Sequence, residues 1–399
     1  TKEIWAKKQA EAEYPNIRLF KCDPLVVRTP TKEVKGGYME QPNADVTRDR
    51  SYTQGWARCT PTLAGNYAGT GYYFAEKVHR ETEVPIGLLW ASIGSVGAEC
   101  YISPEAIAAS PTGQRCLAAW DAKIASGRRD KDNLLYPSSM YKTMLHACQK
   151  FPIKGALWYQ GESNSHRGEE YRRTLNLLLQ DWRARWGLGD FPFLMVQLPE
   201  IDFPRPKAKK SHWPDLRDSQ VWSSKNENNV GLAVIIDTKE IDKTGRASLH
   251  PYNKYLPGHR LAQYAMGTVY GKNTPFRGPT FRAHRVEGSR IIVEFEPDSL
   301  GSGLVAADRI GQGVEINRTG VRIAHVDIAG ADQNFVPAEA TIEGDTLVVS
   351  SVNVASPVAV RYAWANNPAG ANLYNQEGIP ASPFRTDFWP LATEGSNHY

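Results

Sequence analysis

Two apolar runs, Phe191-Pro-Phe-Leu-Met-Val-Gln-Leu198 and Val230-Gly-Leu-Ala-Val-Ile-Ile-Asp237, restrict the fold of this chain more than any other feature. Neither alternates as a one-sided strand does, so each reads as a strand covered on both faces, the kind found in parallel sheets between helical layers. The segments around them fit. Glu169 to Trp186 places Leu175, Leu178, Leu179, Trp182 and Trp186 at helical spacing, a packing stripe, and Trp213 to Trp222 predicts another helix. Upstream the alternation repeats: a helix over Glu3–Glu13, a strand over Ile17–Cys22, a long loop over 23–60, a helix within Gly65–Arg80, a strand over Val84–Ser92, helical or loose chain over 103–132, a short helix over Met140–Cys148 and a strand over Ile153–Tyr159. Strand and helix in turn predict an α/β class with a mostly parallel, doubly wound sheet.

In such a sheet ligands bind beyond the carboxyl ends of the strands. The strand Ile153–Tyr159 stops at Gly161 in a polar turn, so Gln160, Glu162 and Asn164 are expected to project into that crevice. Val84–Ser92 likewise breaks into Ile93-Gly-Ser-Val-Gly-Ala-Glu99, where Gly94 lets a backbone N–H approach a ligand. This loop has neither the G-x-G-x-x-G nor the P-loop pattern of a phosphate site. His250 follows the last strand, where hydrolases often place a base, and lies ahead of a helix over 258–266. Ser95, Gln160 and Arg217 complete the set expected to contact a substrate.

From about Thr280 the texture changes. Arg290–Phe295, Gly320–Val326, Ala340–Ile342, Thr346–Ser350 and Pro357–Trp364 read as short strands between Gly, Asp and Asn turns, the pattern of a β-sandwich. The expected division is 1–275 for the α/β part and 276–399 for the β part, with a tail rich in Asn, Pro and aromatics folding back on the first. Forty-seven Lys and Arg against 43 Asp and Glu leave a net +4 spread along the 399 residues, no footprint for a nucleic acid. Arg205–Lys210 is the one basic cluster, and its proline marks a solvated loop. The five cysteines lack metal-site spacing, so no metal or other cofactor is expected, and an odd number permits at most two disulfides. No apolar stretch is long enough for a membrane span. The start Thr1-Lys-Glu lacks both an initiator Met and a signal-peptide pattern.

Pro85-Ile-Gly-Leu-Leu, Trp158-Tyr-Gln-Gly-Glu-Ser-Asn164, His250-Pro-Tyr-Asn-Lys254 and the C-terminal Arg361-Tyr-Ala-Trp, Asn372-Leu-Tyr-Asn and Pro380-Ala-Ser-Pro-Phe-Arg-Thr-Asp387 together resemble the sialate O-acetylesterases. These are SGNH-type hydrolases related to acetylxylan esterases. The resemblance implies a three-layer α/β/α SGNH-hydrolase-like domain with an appended β-sandwich-like domain. It also implies a serine esterase removing O-acetyl groups from sialic acid or a related glycan in a secreted, periplasmic or lysosomal compartment. His250 matches the base, and Gly94 N–H with the Asn164 amide matches the oxyanion donors. The carboxylate that orients the imidazole in many relatives is missing, because Ala247 and Ser248 stand at its usual positions. Glu162 is the candidate and Asp237 the alternative.

The nucleophile block Gly-Gln-Ser-Asn occurs nowhere in the chain. Ser92, Ser95 and Ser163 are near the right place but lie inside other blocks. The resemblance therefore implies a serine on a separate N-terminal chain or on a segment outside this sequence, together with a strand missing near the middle of the sheet. The alternatives are an acetylxylan-type polysaccharide esterase and a carbohydrate-binding protein that has lost catalysis.

Overall fold

The computed structural model describes residues 10–22, 55–129, 133–202, 212–238, 240–241 and 245–396. The α/β part holds two three-stranded sheets. In one, β1 (Tyr14–Lys21) lies between β2 (Ala57–Cys59) and β3 (Ile86–Trp90), parallel to β3 with Ile17 opposite Ile86. In the other, β4 (Ala156–Trp158), β5 (Phe193–Val196) and β6 (Val230–Ala233) run parallel, with Leu157, Leu194 and Gly231 in register.

Every residue of β5 and β6 is buried, as their unbroken apolar character demands. Phe193 and Met195 enter one core with Leu175, Leu178, Leu179 and Trp182, while Leu194 and Val196 enter another with Leu261 and Ala265. The first group lies on α5 and the second on α7. In chain order the helices are α1 (Pro61–Asn66), α2 (Gly69–Thr82), α3 (Pro104–Ala109), α4 (Pro111–Ala125), α5 (Gly168–Trp186), α6 (Trp213–Asn226) and α7 (Tyr255–Thr268). Acidic Glu169 and Glu170 open α5, Arg183 and Arg185 close it, and Gly187 ends it at φ 62°, so charge and cap both suit the helix dipole.

The doubly wound sheet expected as one piece is divided. Among the described residues β3 and β4 each end their own sheet, and Ala156 and Leu157 are only half-buried although β4 adjoins the buried β5. Phe20 of β1, Trp56 and Phe151 form an aromatic trio with centroids 5.4 to 6.4 Å apart, linking the first sheet to the approach to β4. Within the expected loop 23–60 the structure places β2, and the rest of that loop, 23–54, lies outside the described residues. So do the basic run 205–210 and most of the expected first helix.

Between β7 (Phe281–Glu287) and β17 (Phe384–Arg385) the chain is built of strands. β8 (Arg290–Phe295), β9 (Leu304–Arg309), β10 (Ile316–Gly320), β11 (Val326–Ala329), β12 (Val336–Pro337), β13 (Glu339–Glu343), β14 (Thr346–Ser350), β15 (Ala359–Tyr362) and β16 (Leu373–Asn375) join them in three sheets, ordered β13-β14-β8-β7, β12-β11-β15-β17 and β10-β9-β16. Alternate residues, such as Ile291, Val293, Leu347, Val349, Ile328 and Val360, share one core. The strand expected over Gly320–Val326 is instead a crossing between β10 and β11. Gly320 at φ 118° and His325 at φ 59° break the extended path there.

Val234 and Ile236, just past β6, belong to this β core. Next to them Asp237 accepts two bonds from Arg260 of α7, at 2.7 and 2.8 Å, and one from Tyr374 of β16 at 3.2 Å, while Arg309 of β9 donates to its carbonyl at 2.6 Å. Burial alone would raise the Asp237 carboxyl, but Arg260 and Arg309 hold it below the usual range. The stability this contributes is present above the unfolded-state pKa of about 4 and is lost as pH falls through the lower folded value. Arg260→Met removes the two-bond partner of a buried carboxylate, leaving only Tyr374 and the more distant Arg309, and should cost about 3 kcal/mol at pH 7. The cost should shrink near pH 3, where Asp237 can protonate; urea unfolding at the two pH values measures it, and an equal loss at both would contradict the charge argument.

Candidate functional site

The loops that follow β3 and β4 are held together by a buried polar network. Asn164 has no exposed surface; its Oδ1 accepts from Ala98 N–H at 3.0 Å and Gln160 Nε2 at 2.7 Å, and its Nδ2 donates to Glu99 at 3.0 Å. Two donors on Oδ1 fix which end of the amide is which. Glu99 in turn pairs with Arg167, both buried, so the charge at the centre of the network is compensated. Gln160 continues outward, donating to Val96 O at 3.2 Å and accepting from Tyr171 at 3.1 Å, and Tyr171 takes the Trp158 indole N–H at 3.0 Å.

Local backbone makes these approaches possible. Gly161 has φ 158°, and a Cβ there would lie 2.7 Å from a Leu216 methyl, so the turn after β4 requires glycine. At Gly94 an added Cβ would meet nothing within 4 Å, so packing does not demand glycine there. Gly94 and Ser95 are exposed, Ser95 sits at φ 65°, and the loop is tied down where Ile93 N–H donates to the Tyr101 hydroxyl at 2.9 Å.

Glu162 opens the turn after Gly161 and is half-buried. Burial raises its carboxyl, opposed in part by the charge of Lys254, whose ammonium burial in turn pushes down. Lys254 Nζ also lies 5.1 Å from the Tyr159 ring centroid. Lys254 is four residues past His250, so the end of the histidine loop, where α7 begins, adjoins the turn after β4. That loop is pinned by Glu240, whose carboxylate accepts from Tyr252 N–H and from Asn253 N–H, the latter at 2.7 Å. The Asn253 amide reaches Gln312 in the β region at 2.8 and 2.9 Å, and its Oδ1 receives Leu256 N–H in the first turn of α7. His250 itself is exposed, its backbone N–H bonded to Ser248 Oγ at 3.2 Å. Among the described residues no carboxylate is bonded to its ring.

The structure thus places Gly94 and Ser95 after β3 and Gln160 and Glu162 after β4, on loops joined by the Gln160–Val96 bond and with Lys254 at the start of α7 near Tyr159, and it departs from three expectations. Asn164 faces inward with none of its surface accessible, its Oδ1 accepting twice and one of its two Nδ2 hydrogens given to Glu99, so in this structure it braces the two loops where an exposed oxyanion donor was expected. Arg217 is fully buried, with its donors spent on the carbonyls of Leu198, Pro199, Ala365 and Asn366, and burial pushes it down to about 9; it clamps the tail and cannot contact a substrate. Asp237 is consumed by Arg260 and Tyr374 and is unavailable to His250. Sequence reasoning missed Glu99, Arg167 and Glu240. The signal for Glu99 was a charge inside the otherwise apolar stretch Ala98–Ile102. Glu240 offered none, because its partners are backbone amides brought near by the loop. Of the serines near the site, Ser92 accepts from the Trp90 indole, and among the described residues none of Ser92, Ser95 and Ser163 is bonded to a histidine. The described residues hold no His, Cys, Asp and Glu group that could bind a metal ion, and none of their helices is long and apolar enough to cross a membrane.

Residues 56–266 match the family described as carbohydrate esterase, sialic acid-specific acetylesterase. The human sialate O-acetylesterase is 25% identical over 335 residues, covering 78% of this chain and 59% of its own length. The rat enzyme is 24% identical over 354 residues, covering 78% of this chain and 62% of its own length. The chain thus spans about three-fifths of these relatives. The crystal structure of a carbohydrate acetylesterase from Xanthomonas citri superposes with a TM-score of 0.73 at 32% identity, over 96% of this chain and 76% of that one. The site at the ends of β3 and β4 lies within the matched residues, and the chain belongs to the carbohydrate esterase family of sialic acid-specific acetylesterases.

Proposed function

We propose that the chain is the larger part of a serine O-acetylesterase with an SGNH-type fold, acting on O-acetylated sialic acid or a related acetylated glycan outside the cytoplasm. The observation that supports the reading is the break between β3 and β4: among the described residues each is the edge of its own sheet, and the loops after their carboxyl ends bear Gly94 and the Gln160–Glu162 turn. A strand inserted there, parallel to both and ending in a serine, would satisfy the two edges and deliver the hydroxyl to the crevice. In this reading the strand comes from a segment outside the sequence, joined to this chain or associated with it.

The chemistry then follows from the residues at hand. His250, exposed on a pinned loop, accepts the serine proton as the hydroxyl attacks the acetyl carbonyl. The Gly94 N–H donates to the developing oxyanion, a contact of about 3 kcal/mol in the transition state, and Gln160 contacts the bound ester. His250 next protonates the departing sugar oxygen, leaving an acetyl-serine that water hydrolyses. Glu162, held in a partly desolvated place beside the histidine loop, supplies the negative charge that stabilises the imidazolium.

Three results test this. His250→Ala should reduce acetate release from O-acetylated sialic acid by at least about 10³-fold, in protein that includes the serine segment, without moving the unfolding midpoint. A serine-directed phosphonate should label that protein on the added segment; labelling at Ser92, Ser95 or Ser163, or glycan binding with neither labelling nor acetate release, overturns the proposal. Glu162→Gln should lower the rate yet stabilise the fold near neutral pH. A carboxyl raised in the folded state favours folding at low pH and loses that contribution as pH rises through its folded value, so the gain should vanish below about pH 4. Thermal unfolding across pH 4 to 8 checks it.

A further inference from the structure

All five cysteines are described and buried, and two of them meet: Cys22 Sγ and Cys148 Sγ are 2.7 Å apart, across 126 residues of sequence. Two sulfurs that close have left van der Waals contact and need to approach by only about 0.7 Å to reach the ~2.05 Å of a disulfide. The other thiols are placed differently. Cys59 Sγ lies against Ala12 O and Cys100 Sγ against Leu135 O, and none of these three cysteines meets another sulfur.

The position matters as much as the distance. Cys22 continues β1 by one residue, its N–H bonded to Trp90 O at the end of β3. Cys148 closes the short helical segment that leads into β4, its thiol against Met144 O at 3.2 Å. Both enter the core that also contains Trp158. A bond between them would tie the first sheet to the approach to the second where, among the described residues, no backbone pairing does, fixing the separation of the loops that carry Gly94 and Gln160.

We propose that Cys22 and Cys148 form a disulfide that ties the first sheet to the second across the break between β3 and β4. The two thiols lose two protons and two electrons to a small-molecule disulfide such as oxidised glutathione, which leaves as two equivalents of reduced glutathione. Contact with Cys22 and burial both raise the Cys148 thiol, so exchange runs through molecules in which this region is open, during folding or local opening.

The test uses protein purified without reductant and equilibrated in a buffer of reduced and oxidised glutathione, then denatured in acid, alkylated and digested. The expected result is one linked pair of peptides, bearing Cys22 and Cys148, with Cys59, Cys100 and Cys116 alkylated. Dithiothreitol should lower the unfolding midpoint of the oxidised protein by several degrees. Cys148→Ser should have that lower midpoint and no response to dithiothreitol. Alkylation of all five cysteines, glutathione adducts in place of the linked pair, or a bridge between another pair overturns the proposal, and the peptide map decides even if the variant does not fold.

Discussion

The buried carboxylate of Asp237 is a joint between the two halves of this molecule. It stands just past β6, takes two bonds from Arg260 of α7 and one from Tyr374 of β16, and lies beside Arg309 of β9. A carboxylate out of water is costly unless its lone pairs are filled, so each partner must arrive together with the element that carries it. The α/β part therefore fixes the position of the β part through polar groups as well as through Val234 and Ile236, which enter the β core. Arg217 repeats the device from the other direction, reaching from α6 to the carbonyls of Ala365 and Asn366.

The same logic builds the site at a smaller scale. Glu99, compensated by Arg167, receives the Asn164 amide, and that amide holds the loop after β3 against the loop after β4. Two loops that follow edge strands are thereby held together although, among the described residues, those strands share no ladder. Glu240 does the equivalent for the loop of His250, with backbone amides in place of an amide side chain. Polar struts buried behind exposed Gly94 and half-exposed Gln160 and Glu162 thus hold the two loops together where the described residues provide no strand pairing.

Much of the framework was legible in the residue pattern, because β5 and β6 are apolar at every position and α5 repeats its leucines at helical spacing. Such patterns survive because the burial they demand is local to each element. Less was visible where partners are distant. Phe281-Arg-Ala-His-Arg-Val-Glu287 forms β7 although its residues are largely polar and exposed, since it lies at the edge of its sheet and needs only backbone pairing with β8. Leu304–Arg309 was likewise passed over. In the site, the pattern put Gly94, Gln160 and Glu162 in the loops after strands, where the structure also has them, but assigned Asn164 and Arg217 an outward role, because a polar side chain reads the same whether its partner is a substrate or a buried carbonyl.

The sequence by itself determined the mixed α/β class of the fold, most strands and helices of the α/β part, the change to β structure near residue 280 and the motifs that mark the family. These follow from periodicity, turn chemistry and residue type. Only the tertiary structure decided which polar groups are buried and what they touch. It turned Asn164 into a brace, spent Asp237 and Arg217 on the joint between the halves, revealed Glu99 and Glu240, and divided the expected sheet between β3 and β4. Hydrogen-bond satisfaction in the interior depends on which chain segments meet, and that is a property of the packed fold that no single stretch of sequence carries.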